Sequence, residues 1–552
     1  MQSYEEEWLA GQPVLLAILH CVGLFDRPAN GDCFKALRAK PPIRGLTDEI
    51  SKLGDTAWRR NIARLREVRL LAPVDPADPD ALDAHPLVRE WFGDRLKATN
   101  EAAWKAAHSR LFDHLRRTTR EGSAPTLADL APLYHAIAHG CRAGRQQEAL
   151  AAVYRDRICR RQPDGGVEFY ASKKLGAGAS SLAAISWFFD RPYETPSEAL
   201  IPPARAFVLG EASLYLRAQG RLQESLPAIR ATLGLAEEAR DWGNAAIGAS
   251  NLSEIELMSG DVGAAIVTAE NAVALAGRAG GAFQMMGDRT TLADALHAAG
   301  ERTKASALFA DAERQLRKHP PKHPSLYGIG GFWYCELLLS QGQAQEAWRR
   351  ATYALEIARR NNQLLSISLD NLTLGRAYLA LAQQGAASAP PAAPTSADAR
   401  SGLAKLDEAV DGLRAVGQND HLPRGLIARA ALRRAVGDWD GAKRDLDEAK
   451  EIAEPGLMRL YWCDCALEGA RLALARREAF APLNGLVEPS PPRPVLPDAT
   501  AAAALREEAR KELDVARKLV AECGYHRRDE ELAELDAVVA GGRRFADLPP
   551  RV

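Results

Sequence analysis

The sequence predicts an all-α protein in which an N-terminal winged helix precedes a right-handed α-α superhelix of helix pairs, each about 40 residues long. Three observations support this prediction: glycines that recur at a fixed interval, apolar residues at helical spacing, and a short hairpin pattern confined to the first 97 residues. A fixed repeat of this length is typical of solenoid proteins, in which each unit buries its apolar face against its neighbours.

The repeat is marked by four glycines. Gly220, Gly260, Gly300 and Gly342 recur at intervals of 40, 40 and 42 residues. Each is followed five residues later by a small residue, and these residues are Ser225, Ala265, Ala305 and Ala347. Glycine ends a helix in the left-handed conformation without steric cost, and a small residue lets the second helix approach the first closely. We therefore expect a tetratricopeptide-like (TPR-like) array over residues 204–475.

The repeat continues toward the C-terminus in a less regular form. The string L-D-N-L-T-L-G-R-A-Y matches the core of a tetratricopeptide first helix, which predicts the fifth turn near Ala382. A proline-rich insertion near residues 385–400 interrupts this turn, and the second helix is expected to resume around Leu403. Gly437 marks one further unit.

The first 97 residues do not follow the repeat and predict a winged helix. Pro13 is a favoured first residue of a helix, and two short helices are expected after it. The segment 55–70 places apolar residues at helical spacing with arginines between them. L-L-A-P-V, a D-P-A-D-P-D turn and A-L-D-A-H then predict a small β-hairpin, followed by a helix that begins P-L-V-R-E-W-F.

The remaining segments complete the predicted organisation. Residues 98–203 are expected to form a helical connector with one degenerate repeat at Gly144. A proline-rich linker is expected over residues 476–500. Helices over residues 501–552 would supply the polar cap that a solenoid needs at its end.

The N-terminal pattern is similar to that of a known family. The string L-L-A-P…L-D-A-H-P-L-V-R-E-W-F, followed by a helical connector and helix pairs, resembles the C-terminal half of signal-transduction ATPases with numerous domains (STAND proteins). The resemblance implies a winged helix and a tetratricopeptide-like sensor that work with a nucleotide-binding domain. In that family a histidine of a Met-His-Asp type motif senses the nucleotide phosphates. His85 aligns with that histidine, and Pro86 replaces the acid.

The motif that would make this chain the family's ATPase is absent. The sequence contains no G-x-x-x-x-G-K-[ST] and no Gly-Lys dipeptide. We therefore expect no cofactor, with ADP or ATP entering only if another chain supplies an ATPase domain. The chain is then either the separated sensor half of such a machine or a descendant that works without nucleotide. In the first case the P-loop ATPase lies upstream or in a partner, and the partner is this ATPase or another effector.

Composition argues against several partners. The chain is 47% hydrophobic and 26% charged, with a net charge of −1, which predicts a folded soluble protein without bulk attraction to nucleic acid or anionic membranes. The eight cysteines form no C-x-x-C pair, which indicates reduced thiols and a cytoplasmic location. No apolar stretch is long enough to predict a membrane span.

One local surface favours an alternative function. Between Lys35 and Arg69, ten Lys or Arg residues stand against four Asp or Glu residues. Arg59, Arg60 and Arg64 lie on the helix that contacts DNA in winged-helix regulators, so a ligand-responsive DNA-binding regulator is the alternative function. The competing interpretation is that these arginines pair with acids of an adjacent ATPase domain.

Alignment of the repeats predicts a ligand site. Six residues before the turn stand Glu254, Asp294 and Glu336, with Arg376 at the same position of the next unit. This position faces the concave groove of a tetratricopeptide first helix, so the acidic row predicts a basic or amine-bearing protein or peptide ligand. The predicted groove also includes Ser250, Thr290, His297 and Phe332. The alternative is an internal network in which Arg376 neutralises Glu336 and the other acids are solvated.

The enzyme signals are weak. His135 and His139 are four residues apart and share a helix face, and Cys141 follows them. A zinc protease motif would place Glu after the first histidine, where this chain has Ala136, so a structural pair is favoured over a metal-dependent hydrolase. No G-x-S-x-G elbow or catalytic cysteine signature occurs. The sequence therefore predicts a non-enzymatic protein-interaction module.

Overall fold

The computed structural model describes residues 8–76, 78–163, 165–318, 323–385, 396–478 and 497–548. The chain divides into two compact units. Unit 1 comprises Met1–Tyr170 with Ser186–Ala204, and unit 2 comprises Ala171–Ile185 with Arg205–Val552. Among the described helices, none combines the length and the apolar character that crossing a membrane requires.

Unit 1 is built mainly from helices. They are α1 Pro13–Val22, α2 Gly31–Arg38, α3 Asp55–Glu67, α4 Pro86–Thr99, α5 Glu101–Thr118, α6 Leu127–Arg142 and α7 Gln146–Glu148. A 3₁₀ turn spans Ile50–Lys52, and α7 continues as a π-helix over Ala149–Ile158. The strands β1 Phe189–Arg191 and β2 Thr195–Pro196 pair antiparallel.

The chain around α1 to α4 is joined by a few backbone pairs. Ala29, between α1 and α2, exchanges two hydrogen bonds of 3.0 Å with Leu82. The N–H of Ala72 donates to the carbonyl oxygen of Asp83 at 2.8 Å, so the segment between α3 and α4 folds back on itself. Its described residues form no strand, unlike the predicted hairpin, because three prolines between Ala72 and Asp83 have no N–H to extend a ladder.

The connector contains a helix pair of the repeat type. Gly144 follows α6 with a φ of +80°, and Ala149, five residues later, is fully buried. A reciprocal capping box starts α6, since the side chain of Thr126 accepts from the N–H of Asp129 and the carboxylate of Asp129 accepts from the N–H of Thr126. The Gly-to-Ala spacing read from the sequence thus corresponds to a real helix pair.

Unit 2 is an array of antiparallel helices. Its helices are α8 Tyr170–Leu175, α9 Gly178–Ser186, α10 Pro202–Ala218, α11 Leu222–Glu238, α12 Trp242–Ser259, α13 Val262–Ala279, α14 Ala282–Ala298, α15 Arg302–Leu316, α16 Gly328–Ser340, α17 Ala344–Arg360, α18 Leu364–Gly385, α19 Ser396–Ala415, α20 Leu422–Val436, α21 Trp439–Ala453, α22 Arg459–Arg477, α23 Ala499–Cys523 and α24 Asp529–Ala540. Short 3₁₀ turns follow at His526–Arg528 and Phe545–Asp547.

The helices of unit 2 form an inner and an outer layer. Consecutive helices pack on each other, and the even-numbered helices from α12 to α22 also each contact the next even-numbered one. These helices therefore line the inside, and the odd-numbered helices between them lie outside. The inner layer curves until α22 packs on α12, so the C-terminal helices close the inner face of the array.

The predicted glycine turns are confirmed. Gly220, Gly260, Gly300 and Gly342 have φ angles of +80°, +91°, +83° and +74°, the left-handed conformation expected at a helix end. The small residues five positions later are fully buried between the two helices of each pair. Unit 2 is thus the all-α array of TPR-like repeats that the sequence predicts.

The fifth repeat differs from the prediction. Helix α18 runs through Ala382 to Gly385, so the turn does not fall near Ala382. No helix breaker stands between these two residues in the sequence A-Q-Q-G, which allows the helix to continue. Helix α19 starts at Ser396, earlier than Leu403, because A-D-A-R favours a helix. The prolines of this insertion, like most of the predicted linker over 476–500, lie outside the described residues.

The turns of the first three repeats contact the C-terminal part of the array. A Cβ atom on Gly260 would lie 2.7 Å from Sγ of Cys523, and one on Gly300 would lie 3.3 Å from the carbonyl carbon of His526. A Cβ on Gly220 would lie 3.1 Å from the terminal methyl group of Met458. Among the described residues, Gly342 has no such neighbour within 4 Å. We call Met458–Arg477 with 497–548 the C-terminal segment, which docks along these three turns.

Candidate functional site

A cavity of about 80 Å³ lies inside the array of unit 2. It is lined by the inner helices α12, α14, α16, α18, α20 and α22 and by the 3₁₀ turn after α23. Its charged lining consists of Asp294, Glu336, Asp464, Glu468 and Glu531 together with Arg376, Arg424, Arg471, Arg527 and Arg528. We call this the interior cavity, and its five carboxylates and five guanidinium groups balance formally.

The repeat explains how three of these side chains meet. Asp294 and Glu336 stand six residues before the turn glycines of α14 and α16, and Arg376 occupies the same position of α18 as aligned from the sequence. Because adjacent inner helices stack in register, one position per repeat points to the same axis. Alignment of the repeats therefore identifies part of the lining of this cavity, and the C-terminal segment supplies another part.

Glu336 is fully compensated. Arg376 donates a hydrogen bond to its carboxylate, and both side chains are largely buried. Burial alone raises the pKa of Glu336, but the charge and hydrogen bond of Arg376 outweigh it and lower the pKa to about 2. This pair is the one expected from the alternative interpretation of the sequence, in which Arg376 neutralises Glu336.

The C-terminal carboxylates of the cavity are also paired. Arg528 bonds Asp464 at 2.9 Å and Glu531 at 2.8 Å, and Arg471 bonds the second oxygen of Glu531 at 2.9 Å. Glu468 accepts from Arg434, which approaches from outside the cavity. These charges join the 3₁₀ turn after α23 and the start of α24 to α22, and they join α22 to α20.

Three lining groups are left without an ionic partner among the described residues. Asp294 is only 6% exposed and has no hydrogen bond or ion pair there, and burial raises its pKa to about 6. Arg424 donates a hydrogen bond of 2.7 Å to the hydroxyl of Tyr461 and forms no salt bridge with a described residue. The guanidinium group of Arg527 lies 5.1 Å from the ring centroid of Tyr525, and Arg527 also forms no salt bridge with a described residue. Arg424 and Arg527 both act on Asp294 through space without bonding it.

Glu254 belongs to a different cluster. Its carboxylate accepts from Arg217 at 2.8 Å, and Arg217 also lies 3.2 Å from Asp420, which is fully buried. Burial raises the pKa of Glu254 although Arg217 opposes the shift. Glu254 therefore does not line the interior cavity. Arg217, at the end of α10, contacts both Glu254 on α12 and Asp420 just before α20.

The other predicted groove residues pack between helices. Ser250 shares a 2.9 Å hydrogen bond with Thr291, and Thr290 donates to the carbonyl of Gly287 at 2.7 Å. His297 is 1% exposed, its Nε2 lies 3.1 Å from the hydroxyl of Ser340, and burial lowers its pKa. Phe332 is a core residue, with the guanidinium of Arg424 5.5 Å from its ring centroid. None of the four lines the interior cavity.

The predicted residues of unit 1 lie at its surface. His85 is the exposed N-cap of α4, where its Nδ1 accepts from the N–H of Leu87 at 3.3 Å. Arg59, Arg60 and Arg64 are exposed on α3 and form no ion pair with a described residue. Arg64 lies 5.5 Å from the ring centroid of Trp8.

A second cavity, of about 500 Å³, lies in unit 1 beside α4. Its cations are already engaged. Arg142 lies 4.6 Å from the ring centroid of Trp187, Lys97 lies 5.1 Å from that of Trp104, and Arg89 bonds a carboxylate at the start of α4. This cavity therefore offers no buried charge that lacks a partner.

The two candidate histidines, His135 and His139, do not pair with each other, and His139 pairs instead with a histidine of α5. Nδ1 of His139 lies 2.8 Å from Nδ1 of His108 on α5, so one neutral ring donates to the other. Burial lowers the pKa of His139 to about 3, and His135 and Cys141 belong to the same helix. Within the described residues, no group of three or more His, Cys, Asp or Glu side chains is arranged to hold a metal ion.

Sequence reasoning missed two of the three unpaired groups. Arg424 stands near the start of α20, outside the repeat position used for the alignment, and carries no local signal. Arg527 lies in the string G-Y-H-R-R, which is unusual in composition, but its placement depends on the docking of the C-terminal segment.

The fold and the interior cavity define an all-α protein with an array of TPR-like helix pairs. No protein-family model matches the chain, and no curated protein does. Among solved structures it is similar to a STAND protein with a tetratricopeptide repeat sensor from Pyrococcus horikoshii, at 12% identity and a TM-score of 0.42, over 95% of this chain and 65% of that one. It is also similar to a Rap protein complexed with competence and sporulation factor, at 11% identity and a TM-score of 0.31, over 82% of this chain and 97% of that one.

The chain thus spans just under two thirds of the length of the STAND protein. Both TM-scores are too low for either likeness to bear on the ligand or the activity of this chain.

Proposed function

We propose that this chain is a non-enzymatic cytoplasmic sensor. Unit 2 binds a protein or peptide ligand, or a small part of one, in its interior, and unit 1 passes the occupancy to a P-loop ATPase or another effector. The observation that carries the proposal is the convergence of Asp294, Arg424 and Arg527 on one cavity without ionic partners among the described residues.

Stability does not account for Asp294, which is the buried one of these three groups. A buried charge that lacks a partner costs free energy, whereas a well-packed apolar residue at the same place would not. The neighbouring pairs, such as Glu336 with Arg376, follow the usual rule that buried charges are compensated. A polar ligand that binds Asp294, Arg424 and Arg527 would remove the cost, which is why we assign the site to ligand binding.

The proposed signalling role rests on unit 1. The proposal that this unit contains a winged helix is supported by the helices α1 to α4, by the backbone pair of Ala29 with Leu82 and by the folded-back segment before α4. We propose that this winged helix contacts the effector. ADP or ATP would be bound by a partner ATPase, and exposed His85 at the start of α4 would face its nucleotide.

The proposal is tested by ligand-dependent stability and hydrogen exchange of the full chain. A library of linear pentapeptides with free termini, and a mixture of free amino acids, are added separately. A true ligand raises the unfolding temperature by at least about 2 °C, since saturation at a hundredfold excess over the dissociation constant adds about 2.7 kcal/mol. Amide exchange in unit 1 should also change, because a sensor must transmit occupancy.

The control is a matched pair of arginine variants. R527Q removes a cavity cation and should reduce the shift in unfolding temperature at the same ligand concentration. R314Q removes a cation that is 62% exposed and that pairs, among the described residues, with Asp311 alone, and should leave the shift unchanged. If neither the pentapeptides nor the amino acids raise the unfolding temperature, the proposal is overturned. If a ligand changes amide exchange in unit 2 but not in unit 1, the signalling part is overturned.

A second candidate function, DNA binding, is favoured by one observation. Arg59, Arg60 and Arg64 form an exposed basic face on α3 without ion pairs to described residues. A DNA-binding regulator predicts that the triple Glu variant of these arginines loses duplex binding in a low-salt mobility assay, because each phosphate contact contributes to affinity. If the unaltered chain shifts no duplex at low salt, this candidate is rejected.

A further inference from the structure

The interior cavity also indicates the chemical class of its ligand, an inference that rests on the proposed function. Each wall of the cavity contributes one unpaired group. Asp294 comes from α14, Arg424 from α20 and Arg527 from the 3₁₀ turn of the C-terminal segment. A ligand that contacts all three therefore bridges the array and the C-terminal segment.

The charges of the cavity define the ligand's own charges. Glu336, Asp464, Glu468 and Glu531 are each bonded to an arginine, so these carboxylates are not available. What remains is one carboxylate, Asp294, and two guanidinium groups. Two guanidinium groups are suited to a carboxylate of the ligand, and a buried aspartate without a partner is suited to an ammonium group.

The size of the cavity limits the ligand further. A volume of about 80 Å³ accommodates roughly five to eight water-sized positions, since one water needs at least about 10–15 Å³ on this measure. This corresponds to a molecule with about as many non-hydrogen atoms as a small amino acid. Tyr461 and Tyr525, both fully buried hydroxyl-bearing rings, form part of the wall and bond Arg424 and Asp464.

We propose that the interior cavity binds a free amino acid or another zwitterion of that size. Its carboxylate is held by Arg424 and Arg527, and its ammonium group is held by Asp294. Because Arg527 belongs to the C-terminal segment and the other two groups to the array, the ligand fixes the C-terminal segment on the inner face.

Titration calorimetry of the full chain tests this inference. The twenty amino acids are titrated first as an equimolar mixture and then singly. A binder is compared with its amide, which lacks the carboxylate, and with its N-acetyl derivative, which lacks the ammonium group. Each derivative should bind about ten- to a hundredfold more weakly, as expected when one charge-assisted hydrogen bond is lost.

Variants locate the binding in the cavity. R527Q and D294N should each weaken binding about ten- to a hundredfold, and R527K, which keeps the charge, should weaken it less than R527Q. R314Q is the matched control and should bind as the unaltered chain does. Unfolding in the absence of ligand shows that each variant is folded.

Several results would overturn the inference. These are no binding of any amino acid at millimolar concentration, equal binding of the acid and its amide, or unchanged affinity of D294N. If pentapeptides bind and change amide exchange in unit 1 while no amino acid binds, the sensor function stands and the proposal of a zwitterionic ligand is rejected. If an amino acid binds in the cavity but unit 1 does not respond, the zwitterion stands and the proposed signalling is wrong.

Discussion

The interior of unit 2 and the surface of α3 in unit 1 both carry arginines that lack ion pairs with described residues, but the two settings differ in energy. Arg59, Arg60 and Arg64 are exposed, and water solvates them. Arg424 and Arg527 line a cavity with buried Asp294. A solvated arginine costs the fold nothing, whereas a buried charge without a partner opposes folding.

The difference decides how much function can be inferred from each region. Charged helix faces are common, so the arginines of α3 alone are compatible with DNA, with an acidic protein surface or with no partner. The groups of the interior cavity require an explanation because the other charged groups that line this cavity are each bonded to a group of opposite charge. The comparison therefore gives ligand binding inside unit 2 more weight than nucleic-acid binding by unit 1.

The largest predicted effect separates the two regions directly. R217M should lower the free energy of unfolding by about 3–5 kcal/mol, because it leaves Glu254 and buried Asp420 without their cation. R59M on α3 should change it by less than about 0.5 kcal/mol. Denaturant midpoints of the two variants provide the measurement, and equal shifts would show that the buried cluster is not compensated as described.

A second prediction asks whether the interior depends on docking of the C-terminal segment. G260A should destabilise by about 2–4 kcal/mol, since alanine is strained at a φ of +91° and its Cβ would overlap Sγ of Cys523. Gly342 has a similar φ of +74°, and no described residue lies within 4 Å of the added Cβ, so G342A should cost only the backbone strain of about 1–2 kcal/mol. Similar losses in both variants would mean that the C-terminal segment does not rest on Gly260.

Much of the array follows from the sequence because its determinants are local and repeated. A glycine and a small residue at fixed spacing specify a turn and a close helix contact, and the structure has both at Gly220, Gly260, Gly300 and Gly342. The same register places Asp294, Glu336 and Arg376 at one cavity. The prediction near Ala382 was wrong because a repeat period was extended through a stretch that has no helix breaker.

The rest of the site depends on long-range packing that no spacing encodes. Arg527 reaches the cavity only because the C-terminal segment folds back over more than 200 residues of chain to the first repeats. The pairing of Glu254 with Arg217 likewise depends on which helices meet, and it moves Glu254 out of the groove predicted for it. Glu254, Asp294 and Glu336 do occupy the same position of successive repeats, but Glu254 does not line the interior cavity with the other two.

The smallest predicted effect concerns Asp294, whose replacement should stabilise the chain, whereas the two preceding replacements destabilise it. Its pKa is raised by burial to about 6, above its ordinary value of 3.8, while Arg424 and Arg527 favour the charged form and Glu336 and Glu254 oppose it. The folded state therefore holds the proton more tightly than the unfolded state between these values. Stability falls as pH rises through this window, and above about pH 6 the folded chain carries the full cost of the buried charge.

D294N should therefore stabilise the chain by about 1–3 kcal/mol near pH 7.5 and by roughly half as much near pH 5, because the cost of ionising Asp294 is smaller there. Unfolding of the variant and the unaltered chain at both pH values measures the difference. A loss of stability near neutral pH would mean that Asp294 has a partner in the fold and is not reserved for a ligand. A gain in stability together with lost amino acid binding is the trade-off expected of a binding residue that the fold itself does not need.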